Sequence, residues 1–274
     1  MSYTGTIDAK LWNASQEHIE SLKTGAVVRA KGDIIKYSDD RQMKLISIDD
    51  VSYQRSQQIQ FLVKAPMDSE MMMKELKQYI QRISNTKLYV LTKHLFENNF
   101  EKLKVYPAAS KNHHEFVSGL AFHTLSMLRV ADALMNVYPE LNADLLYSGI
   151  LLHDIGKTVE LSGPVVPSYT FEGQMLGHIS IAQSMVYAAA QELHIEGEEV
   201  TLLQHMILSH HGKNEYGSPV LPQIREAEML HMIDNMDARM NMFNKALDTL
   251  ESGETSKRIF SLENRTIYKP KMYE

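Results

Sequence analysis

The chain has 274 residues, a hydrophobic share of 44% and a formal net charge of −6. This composition excludes a disordered chain and allows one large core, or a main domain with a small partner. No run of about eighteen apolar residues occurs, and the first residues lack the basic start and apolar centre of a signal peptide. We therefore expect a cytoplasmic protein.

The sequence contains no cysteine and twelve histidines. Disulfides, thiolate zinc sites and a cysteine nucleophile are thereby excluded, so any metal must be bound by nitrogen and oxygen atoms. The negative net charge argues mildly against a protein that coats nucleic acid nonspecifically. It does not exclude a nuclease, because a divalent cation in a carboxylate site can receive a phosphate.

Within the first 66 residues, residues 7–12 alternate apolar and polar side chains as β-strands do, and two further strand-like runs follow. Strands are predicted over residues 7–12, 27–37 and 43–48, with a helical turn within 15–22 and a hairpin turn at residues 38–40. A further short run at 59–63 leads to Pro66. This segment is predicted to be a small β domain.

After Pro66 the apolar residues recur at helical spacing. Helices are predicted over 71–83, 88–100, 112–138, 142–156, 178–193, 198–211 and 224–250. Asn112 and Asn142 are predicted N-caps, Pro139 stops the third helix, and a loop rich in Gly, Pro and Ser covers 162–173. The predicted fold class is mainly α, a helical bundle preceded by the small β domain.

Two adjacent potential ligands, His153 and Asp154, end an apolar predicted helix. Adjacent helical side chains diverge by about 100°, so the pair could bind one metal or bridge two. A carboxylate between two cations commonly holds them about 3.5–4 Å apart, the spacing that clamps a phosphate.

Further candidate ligands lie on separate predicted helices, and they are His123, His178, His210 or His211, and Asp234. Helical bundles build metal sites from side chains on separate helices. A single histidine on an apolar helix is more often structural. The ordered set, however, predicts a metal centre.

This order, together with HDIGK at residues 153–157, resembles the HD-domain metal-dependent phosphohydrolases, whose fold is a helical bundle. The resemblance implies one metal held by His123, His153, Asp154 and Asp234. It implies a second metal held by Asp154, His178 and one of the adjacent pair His210 and His211, of which His210 is preferred.

The resemblance also implies that Asp154 and Lys157 are the catalytic residues. Lys157 would stand near the phosphate, where its ammonium could stabilise developing charge or protonate the leaving oxygen. The alternative is that a lysine after a glycine merely caps the helix end.

Longer blocks narrow the resemblance to the YhaM-type 3′→5′ exoribonucleases. They are YPAASKNHHEFVSGLAFHTLSML, LLHDIGKTVELSGP, EGQMLGHI, LQHMILSHHGKNEYGSP and AEMLHMIDNMDARM, within residues 106–242. The implied reaction is attack of a metal-activated water on the 3′-terminal phosphodiester of single-stranded RNA, with release of nucleoside monophosphates. Manganese is the implied cation; iron, cobalt, nickel and zinc, and DNA as a substrate, stay open.

That family carries an OB-fold ahead of the HD domain, and GTIDAKLW and VVRAKGDIIKY resemble part of one. OB-folds stack bases on aromatic side chains in a basic groove, which makes Trp12 and Lys36 candidate substrate-binding residues. Trp12 could instead fill the barrel core. About three of the five required strands are predicted, so we expect a shortened OB-fold, with weakened RNA binding or a homo-oligomer covering its open edge.

The predicted domains are the partial OB-like segment 1–66, a helical connector 67–108, the HD phosphohydrolase 109–250 and a tail 251–274. His113 and His114 lie near a predicted helix start and are candidate substrate contacts, or caps of that helix. Two other functions stay open, an HD enzyme acting on a small nucleotide and a single-strand binding protein with a structural metal. A merely structural site would leave no open coordination position.

Overall fold

The computed structural model describes residues 7–37, 40–51, 61–109 and 116–272. The chain divides into two compact units. The first comprises Met1–Val63 with Pro164–Val166, and the second comprises Lys64–Gly163 with Pro167–Glu274. None of the helices in the described ranges combines the length and apolar composition that crossing a bilayer requires.

The first unit contains a three-stranded sheet in the order β1-β3-β2. Its elements are β1 Asp8–Lys10, helix α1 Gln16–Ser21, β2 Val28–Tyr37 and β3 Asp40–Asp50. β1 pairs with β3 in parallel, whereas β2 and β3 are antiparallel. The predicted small β domain is thus confirmed. A register shift follows Lys31, where a Cβ on Gly32 would lie 2.3 Å from the Lys44 carbonyl oxygen.

Two details of the predicted β segment are not confirmed by the structure. Residues 61–63 of the run predicted at 59–63 are not in a strand, and residues 59 and 60 lie outside the described ranges. Residues 38 and 39 of the predicted hairpin turn also lie outside them. The paired strands nevertheless reach Tyr37 and Asp40, on either side of that turn.

The second unit is a bundle of nine α-helices among the described residues. They are α2 Ser69–Gln81, α3 Thr86–Asn98, α4 Phe100–Val105, α5 Gly119–Met135, α6 Ala143–Leu152, α7 Lys157–Glu160, α8 Phe171–Glu192, α9 Glu198–Ser209 and α10 Arg225–Asp248. One hydrophobic core takes residues from each of these helices except α7, and α2 to α4 contribute Met72, Leu91 and Leu103 to it. The predicted mainly α fold class, a helical bundle preceded by a small β domain, is therefore confirmed.

Side-chain caps start several of these helices, because a short polar side chain can accept from the free N–H groups of the first turn. Asp68 accepts from Glu70 and Met71 at the start of α2. The predicted cap Asn142 accepts from the Leu145 N–H at 3.0 Å and begins α6.

Helix α5 begins later than the sequence predicts. Asn112, its predicted cap, lies outside the described residues, and the helix starts at Gly119. Val117 forms an isolated parallel bridge with Lys64, and Ser118 has a φ of 66° in the left-handed region. These tertiary contacts delay the helix to Gly119, and it ends at Met135 rather than at residue 138.

Helix α8 replaces the end of the loop predicted at 162–173. Thr170 accepts from the Gly173 N–H at 2.9 Å, so the helix begins at Phe171. Gly177 interrupts it with a φ of 70° and a ψ of 154°, which a residue with a side chain would adopt only with strain. The kink sets the direction of the second part, which begins at His178.

Candidate metal centre

The helices of the second unit bring the predicted ligands to one centre. His123 lies on α5, His153 ends α6, His178 follows the kink in α8, His210 ends α9 and Asp234 lies on α10. Asp154 comes directly after His153. These positions agree with the way helical bundles assemble metal sites from separate helices.

A first group of ligand atoms surrounds Oδ2 of Asp154. His123, His153 and Asp154 are buried, and each offers one atom within 4.8 Å of the others. Asp154 Oδ2 lies 3.3 Å from His153 Nε2 and 3.9 Å from His123 Nε2. His123 Nε2 is also 3.1 Å from Asp234 Oδ1. This group can hold one cation.

A second group lies at the other oxygen of the same carboxylate. His178, His210 and His211 each offer one nitrogen within 4.8 Å of the others. Asp154 Oδ1 lies 3.5 Å from His178 Nε2 and 3.9 Å from His210 Nε2. The two oxygens of Asp154 therefore face two different groups of histidines.

Backbone carbonyls fix two of the imidazole rings. Nδ1 of His153 lies 2.8 Å from the Ile150 carbonyl oxygen, and Nδ1 of His210 lies 2.7 Å from that of Ile207. A carbonyl oxygen only accepts, so both Nδ1 atoms carry the hydrogen. The lone pair of each ring is then on Nε2, which points to Asp154.

Two acids position the other histidines. Asp237 Oδ2 lies 2.7 Å from His123 Nδ1, and Glu160 Oε1 lies 3.1 Å from His178 Nδ1. A carboxylate behind a metal-binding histidine fixes its tautomer and raises its basicity. Neither acid was predicted from the sequence. The three-residue spacing of Asp237 from Asp234 was an available signal, whereas Glu160 had none.

Several ligand atoms of the centre are buried without a hydrogen bond to the described part of the chain. They are Asp154 Oδ1 and the Nε2 atoms of His153, His178 and His210. Leaving a buried polar atom unsatisfied costs about 1–3 kcal/mol. Imidazole nitrogens and carboxylate oxygens suit manganese, iron, cobalt, nickel or zinc, so this donor set fits a divalent cation.

Charge pairing keeps the carboxylates of the centre ionised. Burial alone would raise the pKa of Asp154, but Lys157, 2.6 Å from Oδ2, and His153 hold it well below its usual range. Burial likewise opposes the low pKa of Asp234, which His123 brings about. Ionised carboxylates are the form that binds a cation.

The adjacent histidines His210 and His211 differ in their surroundings. His210 is fully buried, and burial together with His211 lowers its pKa well below the usual value, which favours the neutral ring. His211 is less buried, and its Nδ1 lies 2.8 Å from the Tyr216 carbonyl oxygen. His210 therefore belongs to the buried wall of the centre, and His211 lies towards its opening.

The centre opens into a cleft of about 680 Å³. Asp154, Lys157, His178, His211 and Asp234 all line it. Its volume falls in the range of about 300–1,000 Å³ that small-ligand sites occupy. A phosphate in this cleft would lie near both the Asp154 carboxylate and the Lys157 ammonium group.

The four predicted substrate-binding residues are not part of this cleft lining as the structure describes it. His113 and His114 lie outside the described residues. Trp12 and Lys36 belong to the first unit and are exposed. Trp12 exposes 65% of its surface, so it does not fill a core within the described part of that unit.

Comparisons with known proteins identify the family of the chain. The HD domain family model matches residues 120–239. The 3′-5′ exoribonuclease YhaM of Geobacillus sp. (strain WCH70) is 49% identical over 97% of this chain and 83% of that protein. The YhaM of Bacillus subtilis (strain 168) is 48% identical over 99% of this chain and 87% of its own. The Halalkalibacterium halodurans protein of the same name is 47% identical over 99% and 85%.

No solved structure matches the chain. The sequence relatives cover nearly all of it, and the HD match contains the predicted ligands from His123 to Asp234. The chain therefore belongs to the YhaM 3′-5′ exoribonuclease family, with an HD domain over residues 120–239 of its helical unit.

Proposed function

We propose that this protein is a metal-dependent 3′→5′ exoribonuclease that shortens single-stranded RNA to nucleoside monophosphates. The observation that carries the proposal is Asp154, a buried carboxylate whose two oxygens face separate groups of histidines above an open cleft. The direction of attack and the choice of RNA come from the relatives named as 3′-5′ exoribonucleases.

The proposal includes two divalent cations, with manganese favoured. His123, His153, Asp154 and Asp234 would hold one of them. Asp154, His178 and His210, with His211 at the opening, would hold the other. Bound cations supply a water molecule of lowered pKa and a Lewis acid for the phosphate oxygens.

The proposed role of Lys157 is to donate a proton to the departing oxygen or to stabilise the negative charge of the phosphate. Its Nζ lies 2.6 Å from Asp154 Oδ2, and its side chain lines the cleft. When water attacks the 3′-terminal phosphorus, the bond from phosphorus to the O3′ of the preceding nucleotide breaks. The departing oxygen takes up a proton, and the Lys157 ammonium is placed to donate it or to stabilise the phosphate charge.

β1 and β2 are the edges of the described sheet, and open edges favour pairing with another chain, which supports a homo-oligomer. Light scattering that finds a monomer at micromolar concentration would overturn the proposed homo-oligomer.

A cytoplasmic location fits the absence of cysteine, because disulfides stabilise mainly exported proteins.

The test is incubation of the purified protein with 5′-end-labelled single-stranded RNA and manganese, with and without a chelator. We expect a ladder that shortens from the 3′ end and disappears with the chelator. A parallel lane with DNA reports on the sugar, and a panel of dinucleotides reports on small substrates. Intact RNA beside a hydrolysed dinucleotide would favour a small-nucleotide HD enzyme. Binding of RNA without any cleavage would favour a binding protein.

A further inference from the structure

Two exposed tyrosines lie in the wall of the metal cleft. Tyr169 exposes 51% of its surface and Tyr216 exposes 57%. Both line the cleft together with Asp154 and Lys157. They come from separate segments of the chain, and neither belongs to a ligand group of the centre. The walls beside the predicted reaction site are therefore aromatic as well as charged.

Tyr216 is held by a hydrogen-bonded turn next to the second histidine group. Its N–H donates to the Lys213 carbonyl at 3.0 Å, and its own carbonyl oxygen accepts from His211 Nδ1 at 2.8 Å. The Lys213 ammonium lies 5.3 Å from the centroid of the Tyr216 ring. The backbone of this aromatic residue is thus fixed to a histidine of the centre.

Tyr169 is tied in the same way to the other side of the centre. It forms an isolated antiparallel bridge with Leu161. The N–H of the next residue, Thr170, donates to the Glu160 carbonyl at 2.9 Å. The Glu160 side chain contacts the ring of His178. Tyr169 is therefore anchored next to Glu160, which contacts His178. Tyr216 is anchored to His211, and both histidines belong to the second group.

We propose that Tyr169 and Tyr216 form a stacking site for the bases that flank the phosphate being cleaved. This inference rests on the proposed exoribonuclease function. A nucleotide whose phosphate lies at Asp154 extends its base along the cleft wall, where an exposed ring offers a flat surface. Stacking on aromatic side chains suits single strands of any sequence, because every base has a π-face. The site therefore positions the 3′ end without selecting a base.

The test compares two RNAs, one with normal 3′-terminal nucleotides and one whose last two nucleotides lack bases. Tyr216→Ala and Tyr169→Ala should each raise KM for the normal RNA by about tenfold, given the usual strength of base stacking. The same variants should leave KM for the abasic RNA nearly unchanged. Tyr216→Phe and Tyr169→Phe keep the ring and should behave as the wild type.

Tyr187→Ala is the matched control, because Tyr187 is a comparably exposed tyrosine on α8 that the described cleft lining does not include. Circular dichroism and manganese binding establish that each variant keeps its fold and its centre. An equal rise in KM on both RNAs, or no rise on the normal RNA, would overturn the stacking site alone. Wild-type protein that shortens neither RNA would overturn the exoribonuclease function itself.

Discussion

Glu160 accepts two hydrogen bonds from His178, one from the backbone N–H at 2.9 Å and one from the ring Nδ1 at 3.1 Å. Burial would raise the pKa of Glu160, but these contacts with His178 lower it and keep the carboxylate charged. With Nδ1 donating, the lone pair of the ring is on Nε2, 3.5 Å from Asp154 Oδ1. Glu160 thus orients the ring of a predicted ligand.

Replacing Glu160 with Ala should weaken the binding of manganese by about 10- to 100-fold, the usual effect of removing a carboxylate behind a metal-binding histidine. Isothermal titration calorimetry measures this affinity directly. Glu172→Ala, at an exposed acid in the first turn of α8, is the control and should bind manganese as the wild type does. Unchanged affinity in Glu160→Ala would show that His178 does not depend on this acid.

Gly156 allows the segment after Asp154 to approach α8 closely. A Cβ at Gly156 would lie 2.1 Å from the His178 carbonyl oxygen, a backbone atom that cannot rotate away. Gly156→Ala should therefore separate the two segments and lower the free energy of unfolding by about 1–3 kcal/mol or more, as overpacking does.

Gly149→Ala is the matched comparison for this substitution. Its Cβ would meet the end of the Met206 side chain at 2.4 Å, and a methionine can change its rotamer. Urea unfolding should find Gly149→Ala the more stable of the two variants. If Gly156→Ala were the more stable variant, the close approach of Gly156 to the His178 carbonyl oxygen would not limit the stability of the fold.

A second network, centred on Asp132, stabilises the bundle. Arg82 donates two hydrogen bonds to its carboxylate, at 2.9 and 2.8 Å, and Tyr79 donates one at 3.0 Å. Burial would raise the pKa of Asp132, but these donors and Tyr147 lower it. Burial, and after it the neighbouring Asp132, raises the pKa of Tyr79 to about 12.

Asp132→Asn should lower the free energy of unfolding at pH 7 by about 1–2 kcal/mol, because hydrogen bonds to a charged group are lost or weakened. The carboxyl is 34% exposed, which places the loss near the lower figure. A pKa below the unfolded value means that this stability is present above about pH 4 and is lost as the pH falls through the folded pKa.

Urea unfolding of wild type and Asp132→Asn at pH 7 and at pH 3 measures both effects. The gap in stability should narrow at the lower pH. A gap that widens at pH 3, or equal stability at pH 7, would be inconsistent with a charged and hydrogen-bonded Asp132.

The sequence predicted most of the helices, because apolar spacing is a local pattern, and it predicted a histidine set that the structure brings to one centre. Apolar residues recur at helical spacing in each helix. His153 and Asp154 are adjacent potential ligands, and this adjacency predicts a metal centre. The start of α5 could not be predicted, since the bridge between Lys64 and Val117 that delays it joins distant parts of the chain. Tertiary contacts of this kind override local propensity.

The supporting residues of the centre were harder to predict than its ligands. Acids are common on exposed helix faces, so Glu160 carries no signal until the fold places it behind His178, and Asp237 carries only its three-residue spacing from Asp234. The adjacent pair His210 and His211 could not be separated by spacing alone. Their difference in burial arises from the end of α9, which the fold determines.

The most direct test of the account is hydrolysis of end-labelled RNA by Asp154→Asn at saturating manganese. Asn has the shape of Asp but lacks the charge that both groups of histidines face. We expect the rate to fall by at least about a hundredfold, because cation stabilisation of the reacting phosphate is worth several kcal/mol. Circular dichroism should show an intact helical fold. A folded Asp154→Asn variant that degrades RNA as fast as the wild type would contradict the account.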